Sequence, residues 1–220
     1  MADNRGMTEL IVIRHGETDW NRQHRFQGQI DVPLNATGLA QAERLAERLA
    51  DEAIDVLVAS DLQRAHSTAL SVARRRGQPV HIEALWREQS FGVLEGLDVP
   101  TIRGQHAPLW ERWVQYDADY APPGGESNHH FHDRVMRAVQ ATLAAHAGAR
   151  IAVITHGGVL DMLWRAAQQL SLHGPRDCDI PNTGINRLRW SDDRLQILSW
   201  AEADHLEGLP EQPSTVPAAR

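Results

Sequence analysis

The sequence predicts an α/β domain in which strands buried on both faces alternate with amphipathic helices. Two aliphatic runs support this prediction, at residues 10–13 and 151–154, because both are short, continuous and rich in β-branched residues, as in a parallel sheet. A chain of 220 residues is long enough to bury a large core within one domain. We therefore expect a single domain over residues 8–206, followed by a disordered, Pro-rich tail over residues 207–220.

Strands and helices alternate through the first half of the chain. After the first strand and a loop rich in Gly, Pro and Asn, Thr37 can cap a helix over residues 38–50, whose apolar residues recur at the helical spacing. Residues 54–59 predict the second strand. A capping box at residues 60–63 then begins the next helix, and residues 79–82 predict a short third strand.

The second half begins with an irregular stretch at residues 97–128 that contains Trp110 and Trp113. It is either a lid or pocket wall, or a small satellite core of tryptophans on a helix near residues 106–116, and the two interpretations carry equal weight. Ser127 can cap a helix that runs to residue 146.

The last elements are a helix and a hairpin. The helix follows His156, and strands at 185–190 and 195–201 are joined by a turn at 191–193.

Composition and charge exclude several classes of protein. A net charge of −7 with scattered Arg residues argues against a nucleic-acid partner. The single Cys178 excludes an internal disulfide and fits a reducing, cytoplasmic location. The N-terminus shows no signal peptide, and no stretch reaches the roughly 18 apolar residues of a membrane span. We therefore expect a cytoplasmic protein that acts on a small molecule and not at a membrane.

Both aliphatic strands end in His-Gly, the first in Arg14-His15-Gly16 and the second in Thr155-His156-Gly157. Because ligands of open α/β sheets bind beyond the carboxyl ends of the strands, these side chains are expected to share one crevice, together with Asn21. Arg64 lies in the first turn of a helix that also begins at a strand end, where free N–H groups favour anions. This collection of cations and donors around an imidazole predicts a phosphate site.

Phosphoryl transfer needs cations on the phosphate oxygens and a nucleophile placed in line with the bond that breaks. A neutral His15 can attack phosphorus and store the phosphoryl group as phosphohistidine. An acid must protonate the leaving oxygen, and Glu88 and Glu95 are the candidates. Glu88 is preferred because it lies between two aromatic residues in the sequence.

A metal site is a further possibility, since His129, His130 and His132 are close in the sequence. Adjacent histidines point in different directions on a helix, and the i, i+4 spacing is absent. We therefore interpret them as surface residues.

Five motifs occur in order between residues 14 and 158, within a resemblance that covers roughly residues 9–201. They are Arg14-His15-Gly16-Glu17-Thr18 with Asn21, Phe26-x-Gly28 with Asp31-x-Pro33-Leu34, Ser60-Asp61-Leu62-x-Arg64-Ala65, Glu88-x-x-x-Gly92-x-x-Glu95-Gly96, and Thr155-His156-Gly157-Gly158. Together they resemble the histidine phosphatase superfamily, in the branch of cofactor-dependent phosphoglycerate mutases and broad-specificity phosphatases. Arg-His-Gly alone is weak, whereas five ordered motifs are specific.

The resemblance implies a three-layer α/β sandwich, with a central mixed, mostly parallel sheet flanked by helices. It implies that His15 is the phosphorylated nucleophile and Glu88 the proton donor. It further implies that no metal or organic cofactor is needed for hydrolysis. The remaining site residues implied by the resemblance are the phosphate ligands Arg14, Asn21, Arg64 and His156 and the rim residues Gln27, Gly28 and Gly157.

The core motifs do not separate a hydrolase from a mutase, since both pass through phosphohistidine. Mutases of the family resemble one another in a lid segment that supplies several basic residues, and here that region offers Arg103 and Arg112. The Pro-Gly-Gly-Glu-Ser sequence at 123–127 and Asn182-Thr183-Gly184 resemble the phosphatase branch. We therefore predict a phosphomonoesterase acting on small phosphorylated metabolites, with a phosphoglycerate mutase, primed by bisphosphoglycerate, as the alternative.

Two interpretations from other classes are disfavoured. A metal-dependent hydrolase would use the histidines and Glu88 as ligands, and an inactive binding module would have lost a catalytic residue. Exposed aromatic residues in the lid or the edge hairpin could support a homodimer.

Overall fold

A mixed sheet of six strands organises the molecule, and the computed structural model describes residues 8–213. The strand order is β3-β2-β4-β1-β5-β6, in which the first four strands of this order are parallel, β5 pairs antiparallel with β1, and β6 pairs antiparallel with β5. The predicted mixed, mostly parallel sheet is therefore confirmed. The strands are β1 (Thr8–Arg14), β2 (Val56–Ala59), β3 (His81–Ile82), β4 (Arg150–Thr155), β5 (Ile185–Ser191) and β6 (Arg194–Glu202).

Helices cover both faces of this sheet, as the alternation of side chains along β1 requires. Leu10 and Val12 point into a core shared with the sixth and seventh helices, whereas Ile11 and Ile13 point into a core shared with the second and third. The result is the predicted three-layer sandwich. The helices are α1 (Asp19–Arg22), α2 (Ala36–Arg48), α3 (Gln63–Arg76), α4 (Val99–Gln105), α5 (Ala107–Trp113), α6 (Asn128–Ala145) and α7 (Gly157–Gln168), with 3₁₀ turns at Ala84–Trp86, Gly92–Leu94 and Asp204–Leu206.

Two predicted helix caps were wrong and one is confirmed. Asn35, and not Thr37, caps α2, because its side chain accepts the Gly38 N–H at 2.8 Å. The capping box at 60–63 does not form, since α3 begins one residue after Leu62 without a side-chain cap. Ser127 caps α6 as predicted, accepting the N–H of His130.

Residues 97–128 fold as two short helices, α4 and α5, instead of one helix near 106–116. Pro108 lies in the first turn of α5, where a missing N–H is tolerated, so the helix restarts there. None of the helices between residues 8 and 213 is long and apolar enough to cross a membrane.

In the segment after residue 206, Gln212 returns to the loop that precedes β5. Gln212 pairs with the backbone of Asn182 through both side-chain atoms, its Oε1 accepting the Asn182 N–H at 2.6 Å and its Nε2 donating to the Asn182 carbonyl at 3.1 Å. Gln212 lies within residues 207–220, the segment for which the sequence predicts a disordered tail. Residues 214–220 of that predicted tail lie outside the described residues.

Candidate active site

The ends of β1 and β4 bring the two His-Gly motifs together. The strands are parallel neighbours with Arg14 opposite Thr155, and the His15 N–H donates to the Thr155 carbonyl at 2.8 Å. The imidazole rings of His15 and His156 come directly after these strand ends, with centroids 5.2 Å apart. The shared crevice predicted from the two strand ends is therefore present.

His15 is held as a neutral imidazole with one nitrogen available. Its Nδ1 lies 2.7 Å from the Gly16 carbonyl oxygen, which can only accept, so Nδ1 carries the proton and Nε2 keeps its lone pair. Burial, followed by the charges of Arg64 and Arg14, holds the pKa of His15 well below its ordinary value. An unprotonated Nε2 is the form that can attack phosphorus.

Two buried guanidinium groups, those of Arg14 and Arg64, border the imidazoles. Arg14 donates from Nη1 to the Ile180 carbonyl at 2.7 Å, and Arg64 donates to the carbonyls of Gly28 and Ile30 at 2.7 and 2.9 Å. In each guanidinium the Nε–H is buried and has no hydrogen-bond partner among residues 8–213.

Burial is the main cause that lowers the pKa of Arg14 and of Arg64 to about 10, so both remain cationic at neutral pH. Two fixed cations with unpartnered donors form a site for an anion.

His156 is fully buried, with Nε2 2.9 Å from the Ser60 hydroxyl and Nδ1 unpartnered within the described part of the chain. Burial first, then Arg64 and His15, lowers the pKa of His156 well below the ordinary value. The sequence pattern predicts that Ser60 caps a helix and does not predict its contact with His156. Ser60 directly follows β2 and so lies at the same sheet edge as the two histidines, and this position is the signal in the sequence that could have predicted the contact.

Glu88 reaches the pocket across the start of α7. Its Oε2 accepts the Gly158 N–H at 3.0 Å and its Oε1 accepts the Gln89 N–H at 2.9 Å. A Cβ at residue 158 would lie 2.2 Å from Oε1, so a side chain there would displace the carboxylate. Glu88 is therefore fixed against a residue that lies two positions along the chain from His156.

Glu95, the other candidate acid, has a structural role. Its Oε1 accepts the backbone N–H groups of Gln29 and Phe91 at 3.1 and 2.9 Å. Glu95 thereby joins the loop at residues 26–31, called the rim loop, to the segment that follows Glu88 in the chain. A Cβ at Gly28, whose φ is +51°, would lie 2.1 Å from the same oxygen. Gly28 is therefore needed both for its backbone conformation and for the approach of Glu95.

The other sequence-predicted residues take different positions around this pocket. Gln27 is buried, with Oε1 unpartnered in the described chain. Gly157 lies between two cations, since a Cβ there would be 3.5 Å from Arg14 Nε and 3.7 Å from Arg176 Nη1. The hydrogen bonds of Asn21 join its Oδ1 to the N–H and hydroxyl of Thr18, and they do not connect it to the imidazoles.

Residues 97–128 form a wall of the pocket next to the rim loop at residues 26–31. Trp113 packs edge to face on Phe26 and Phe91, with ring centroids 5.3 and 5.5 Å away. Its aromatic partners therefore come from the rim loop and from the segment after Glu88. This arrangement favours the pocket-wall interpretation over a separate core of tryptophans.

The histidines near 130 do not form a metal site by themselves. Among the described residues, the group with suitable spacing is Asp119, His129 and His173, whose ligand atoms lie within 4.8 Å of one another. His173 Nδ1 accepts the Ala118 N–H at 3.1 Å, so a neutral His173 ring carries its proton on Nε2 and has no further lone pair for a metal. All three side chains are exposed.

Sequence reasoning missed two arginines that shape the pocket. Arg134 on α6 donates to the carbonyls of Leu85, Arg87 and Glu88, and so holds the segment that carries the candidate acid. Arg176 lies in the loop between α7 and β5, beside Gly157. No motif or period surrounds Arg176, so local sequence offers no signal for it.

Comparison with known proteins agrees with this geometry. The model of the histidine phosphatase superfamily (branch 1) matches residues 10–203. A metal-independent phosphoserine phosphatase of Arabidopsis thaliana is 36% identical over 206 residues, covering 92% of this chain and 85% of that protein. Phosphoglycerate mutase-like protein 4 of the same plant is 36% identical over 203 residues, covering 90% and 87%.

A solved structure shows the same fold. The native structure of a mycobacterial glucosyl-3-phosphoglycerate phosphatase superimposes with a TM-score of 0.77 and 28% identity, covering 90% of this chain and 100% of that one. Family match, motif order and pocket geometry agree over nearly the whole described chain. The chain therefore belongs to the histidine phosphatase superfamily, branch 1.

Proposed function

We propose that this protein is a phosphomonoesterase that hydrolyses small phosphorylated metabolites through a phosphohistidine intermediate on His15. The observation that carries the proposal is the hydrogen bond from His15 Nδ1 to the Gly16 carbonyl in a ring whose pKa is lowered by burial and by the charges of Arg64 and Arg14, so that Nε2 is left unprotonated. A nucleophile of this kind, next to cations with free donors, suits phosphoryl transfer, which needs positive charge on the phosphate oxygens and a nucleophile in line.

The reaction has two steps in this pocket. Arg14, Arg64 and His156 hold the phosphate oxygens while His15 Nε2 forms a bond to phosphorus and the bond to the leaving oxygen breaks. Glu88 gives its proton to that oxygen. In the second step Glu88 takes a proton from water, the water oxygen attacks phosphorus, and the N–P bond breaks to release inorganic phosphate and restore His15.

The names of the relatives support this substrate class and the absence of a cofactor. One relative is named a metal-independent phosphoserine phosphatase, and a structural neighbour is named a glucosyl-3-phosphoglycerate phosphatase. The single Cys178 does not suggest covalent chemistry, because burial raises the pKa of its thiol to about 12. A cytoplasmic location stays a prediction.

Mutase activity is the second candidate, since another relative is named phosphoglycerate mutase-like. The lid region, residues 97–128, argues against the mutase, because neither of its two arginines is shown to be directed at the pocket. Arg112 is directed to other groups, with Nη2 3.6 Å from Asp117 and its guanidinium 5.1 Å from the centre of the Tyr120 ring. Arg103 is exposed on α4.

The deciding experiment measures two activities in the presence of EDTA: phosphate release from p-nitrophenyl phosphate, and interconversion of 3- and 2-phosphoglycerate. We expect phosphate release without interconversion, and a phosphoenzyme detectable by mass spectrometry after an alkaline quench. His15→Ala should lose both turnover, by more than about 10³-fold, and the phosphoenzyme. His129→Ala, at an exposed histidine outside the pocket, is the control and should retain both.

Three results would contradict the proposal. Rapid interconversion with little hydrolysis would identify a mutase. Loss of hydrolysis in EDTA would indicate a metal-dependent enzyme. A phosphoenzyme that survives in His15→Ala would place the nucleophile on another residue.

A further inference from the structure

We propose that Arg176 binds a carboxylate of the substrate, so that the preferred substrates are phosphate esters of small hydroxy or amino acids. The inference rests on the proposed phosphatase activity and deepens it, because it concerns the part of the substrate that is not phosphate. It starts from the position of Arg176, which no sequence motif indicated.

Although Arg176 follows α7 in the chain, its guanidinium lies beside Gly157, the first residue of α7, next to the proposed phosphate ligands. A Cβ at Gly157 would lie within 4 Å of both the Arg14 and the Arg176 guanidinium groups, so the two cations flank the same residue. Their proximity also affects ionisation, since the charge of Arg176 is the largest cause after burial of the lowered pKa of Arg14. Two like charges held this close call for an anion between or beside them.

The charge of Arg176 is poorly matched by the protein. The nearest carboxylate, that of Asp161, lies 4.0 Å from Arg176 Nε and is already bound by Arg165 at 3.2 Å through both oxygens. The neighbouring Asp177 accepts the indole N–H of Trp164 instead. One carboxylate thus serves two guanidinium groups.

The side chain of Arg176 is accessible and still has a free donor. It is 24% exposed, so a ligand can reach it, whereas its Nε is buried without a hydrogen-bond partner among the described residues. A phosphate monoester carries close to two negative charges at neutral pH, which Arg14 and Arg64 already match. A third cation is explained by a third negative charge on the substrate.

The loop before Arg176 is fixed in place. Arg165, which is buried on α7, donates to the carbonyls of Ser171, His173, Gly174 and Pro175. The Gly174 N–H also donates to the Tyr116 carbonyl at 3.1 Å, which joins the loop to the pocket wall. Arg176 is thus presented by a rigid support, as a specificity residue requires.

Arg176 lies on the same side of the pocket as Glu88, and this indicates that it meets the leaving group of the substrate and not the phosphate. Glu88, the proposed proton donor to the leaving oxygen, rests on the Gly158 N–H, and Arg176 lies beside Gly157. Both residues therefore approach the leaving group from the start of α7. A carboxylate a few bonds from the ester oxygen fits a guanidinium fork at this position.

The test compares substrates that differ by one carboxylate: O-phosphoserine against O-phosphoethanolamine, and 3-phosphoglycerate against glycerol 3-phosphate. Each compound is also measured as a competitive inhibitor of p-nitrophenyl phosphate hydrolysis, so that slow substrates report their binding. The wild-type enzyme should prefer the carboxylate-bearing member of each pair. In Arg176→Gln that preference should fall by about 10- to 100-fold, the scale of a charge-assisted hydrogen bond, mainly through KM.

Two variants control for charge and for the lid. Arg176→Lys should retain part of the preference, because it keeps the charge and loses the fork. Arg103→Gln removes an exposed cation of α4 and should leave the preference unchanged. Hydrolysis of p-nitrophenyl phosphate by Arg176→Gln should fall only a few-fold, and unchanged melting and vanadate inhibition would show an intact fold and phosphate site.

Three outcomes would overturn the inference. A wild-type enzyme without preference for the carboxylate has no such subsite. Equal losses on both members of each pair would make Arg176 a phosphate ligand, and an unchanged preference in Arg176→Gln would remove its role. Failure of the proposed function is a different result, namely a wild-type enzyme that neither hydrolyses p-nitrophenyl phosphate nor forms a phosphoenzyme.

Discussion

Individual side chains of this pocket acquire their chemistry from burial and from one or two hydrogen bonds each. His15 has the form that the proposed nucleophile needs, because a carbonyl fixes its tautomer, and burial, followed by the charges of Arg64 and Arg14, lowers its pKa and keeps the ring neutral. Glu88 is held by two backbone N–H groups, one of which belongs to α7. The same residue types in a solvated loop would have no such orientation.

The role of Glu88 can be tested through the leaving group. Glu88→Gln keeps an oxygen that accepts the Gly158 N–H but cannot give up a proton. Hydrolysis of alkyl phosphates should therefore fall by about 10²- to 10⁴-fold, while p-nitrophenyl phosphate, whose leaving group needs little protonation, should still phosphorylate the enzyme. Steady-state kinetics on both substrates, with single-turnover measurement of the phosphoenzyme, provide the check.

Glu95→Gln is the matched control for that variant. The Glu95 carboxylate accepts the backbone N–H groups of Gln29 and Phe91 and has a structural part, so its loss should affect both leaving groups alike. If Glu88→Gln behaved in the same way as Glu95→Gln, the assignment of Glu88 as the acid would be wrong.

At the scale of elements, the site is assembled from strand ends, the start of α7 and one long loop. The loop between α7 and β5 contributes the Ile180 carbonyl to Arg14 and the Asn182 amide to the His15 carbonyl, at 2.7 and 2.9 Å. It has no regular secondary structure. Its course therefore depends on side chains from other elements, and Arg165 makes several of these contacts.

Replacing Arg165 should loosen this loop and destabilise the fold. Arg165→Met leaves several carbonyls and the buried Asp161 without their partner, a loss of about 3 kcal/mol in the free energy of unfolding. Urea denaturation provides the measurement. Arg165→Lys, which keeps the charge but not the fork, should lose less, and equal losses in the two variants would show that the fork, and not the charge, holds the loop.

At the scale of the whole molecule, the pocket lies at the carboxyl ends of β1 and β4, where His15 and His156 are both buried by the surrounding elements. Burial depresses the pKa of His15 and of His156 well below their values in an unfolded chain. The folded protein therefore binds fewer protons than the unfolded chain at mildly acidic pH. This difference couples the two pocket histidines to global stability.

The free energy of unfolding should fall as the pH drops below the unfolded histidine pKa of about 6.5. Between about pH 6.5 and the lower pKa of the folded state, the two histidines are protonated in the unfolded chain and not in the folded protein. A fall in pH through this window therefore stabilises the unfolded chain only. Each of the two histidines should approach a slope of about 1.4 kcal/mol per pH unit in this window.

The measurement is urea denaturation between pH 7.5 and pH 5, in buffers without phosphate, because an anion bound to the folded state would add stability. The His15→Gln variant should show a shallower slope than the wild type. His129→Gln, which alters an exposed histidine, is the control. Equal slopes in all three proteins would show that His15 is protonated in the folded state.

The sequence by itself determined the fold class and the family, because these depend on local patterns. Apolar runs define the buried strands, and parallel strands must deliver the residues at their carboxyl ends to one edge of the sheet. His15 and His156 could therefore be placed together, with Arg64 at a neighbouring strand end.

Tertiary structure decided the features that depend on distant partners. Ser60 meets His156 across 96 positions, the Asn182 amide reaches the His15 carbonyl across 167, and Arg176 reaches Gly157 from a loop without a pattern. The pairing of Gln212 with the backbone of Asn182 spans 30 positions and is equally invisible in the sequence. The caps of α2 and α3 are a local matter. Two nearby polar residues, Asn35 and Thr37, could each have capped α2, and the sequence pattern does not choose between them. Hydrogen bonds between residues far apart in the chain leave no local period, so only the folded arrangement reveals them.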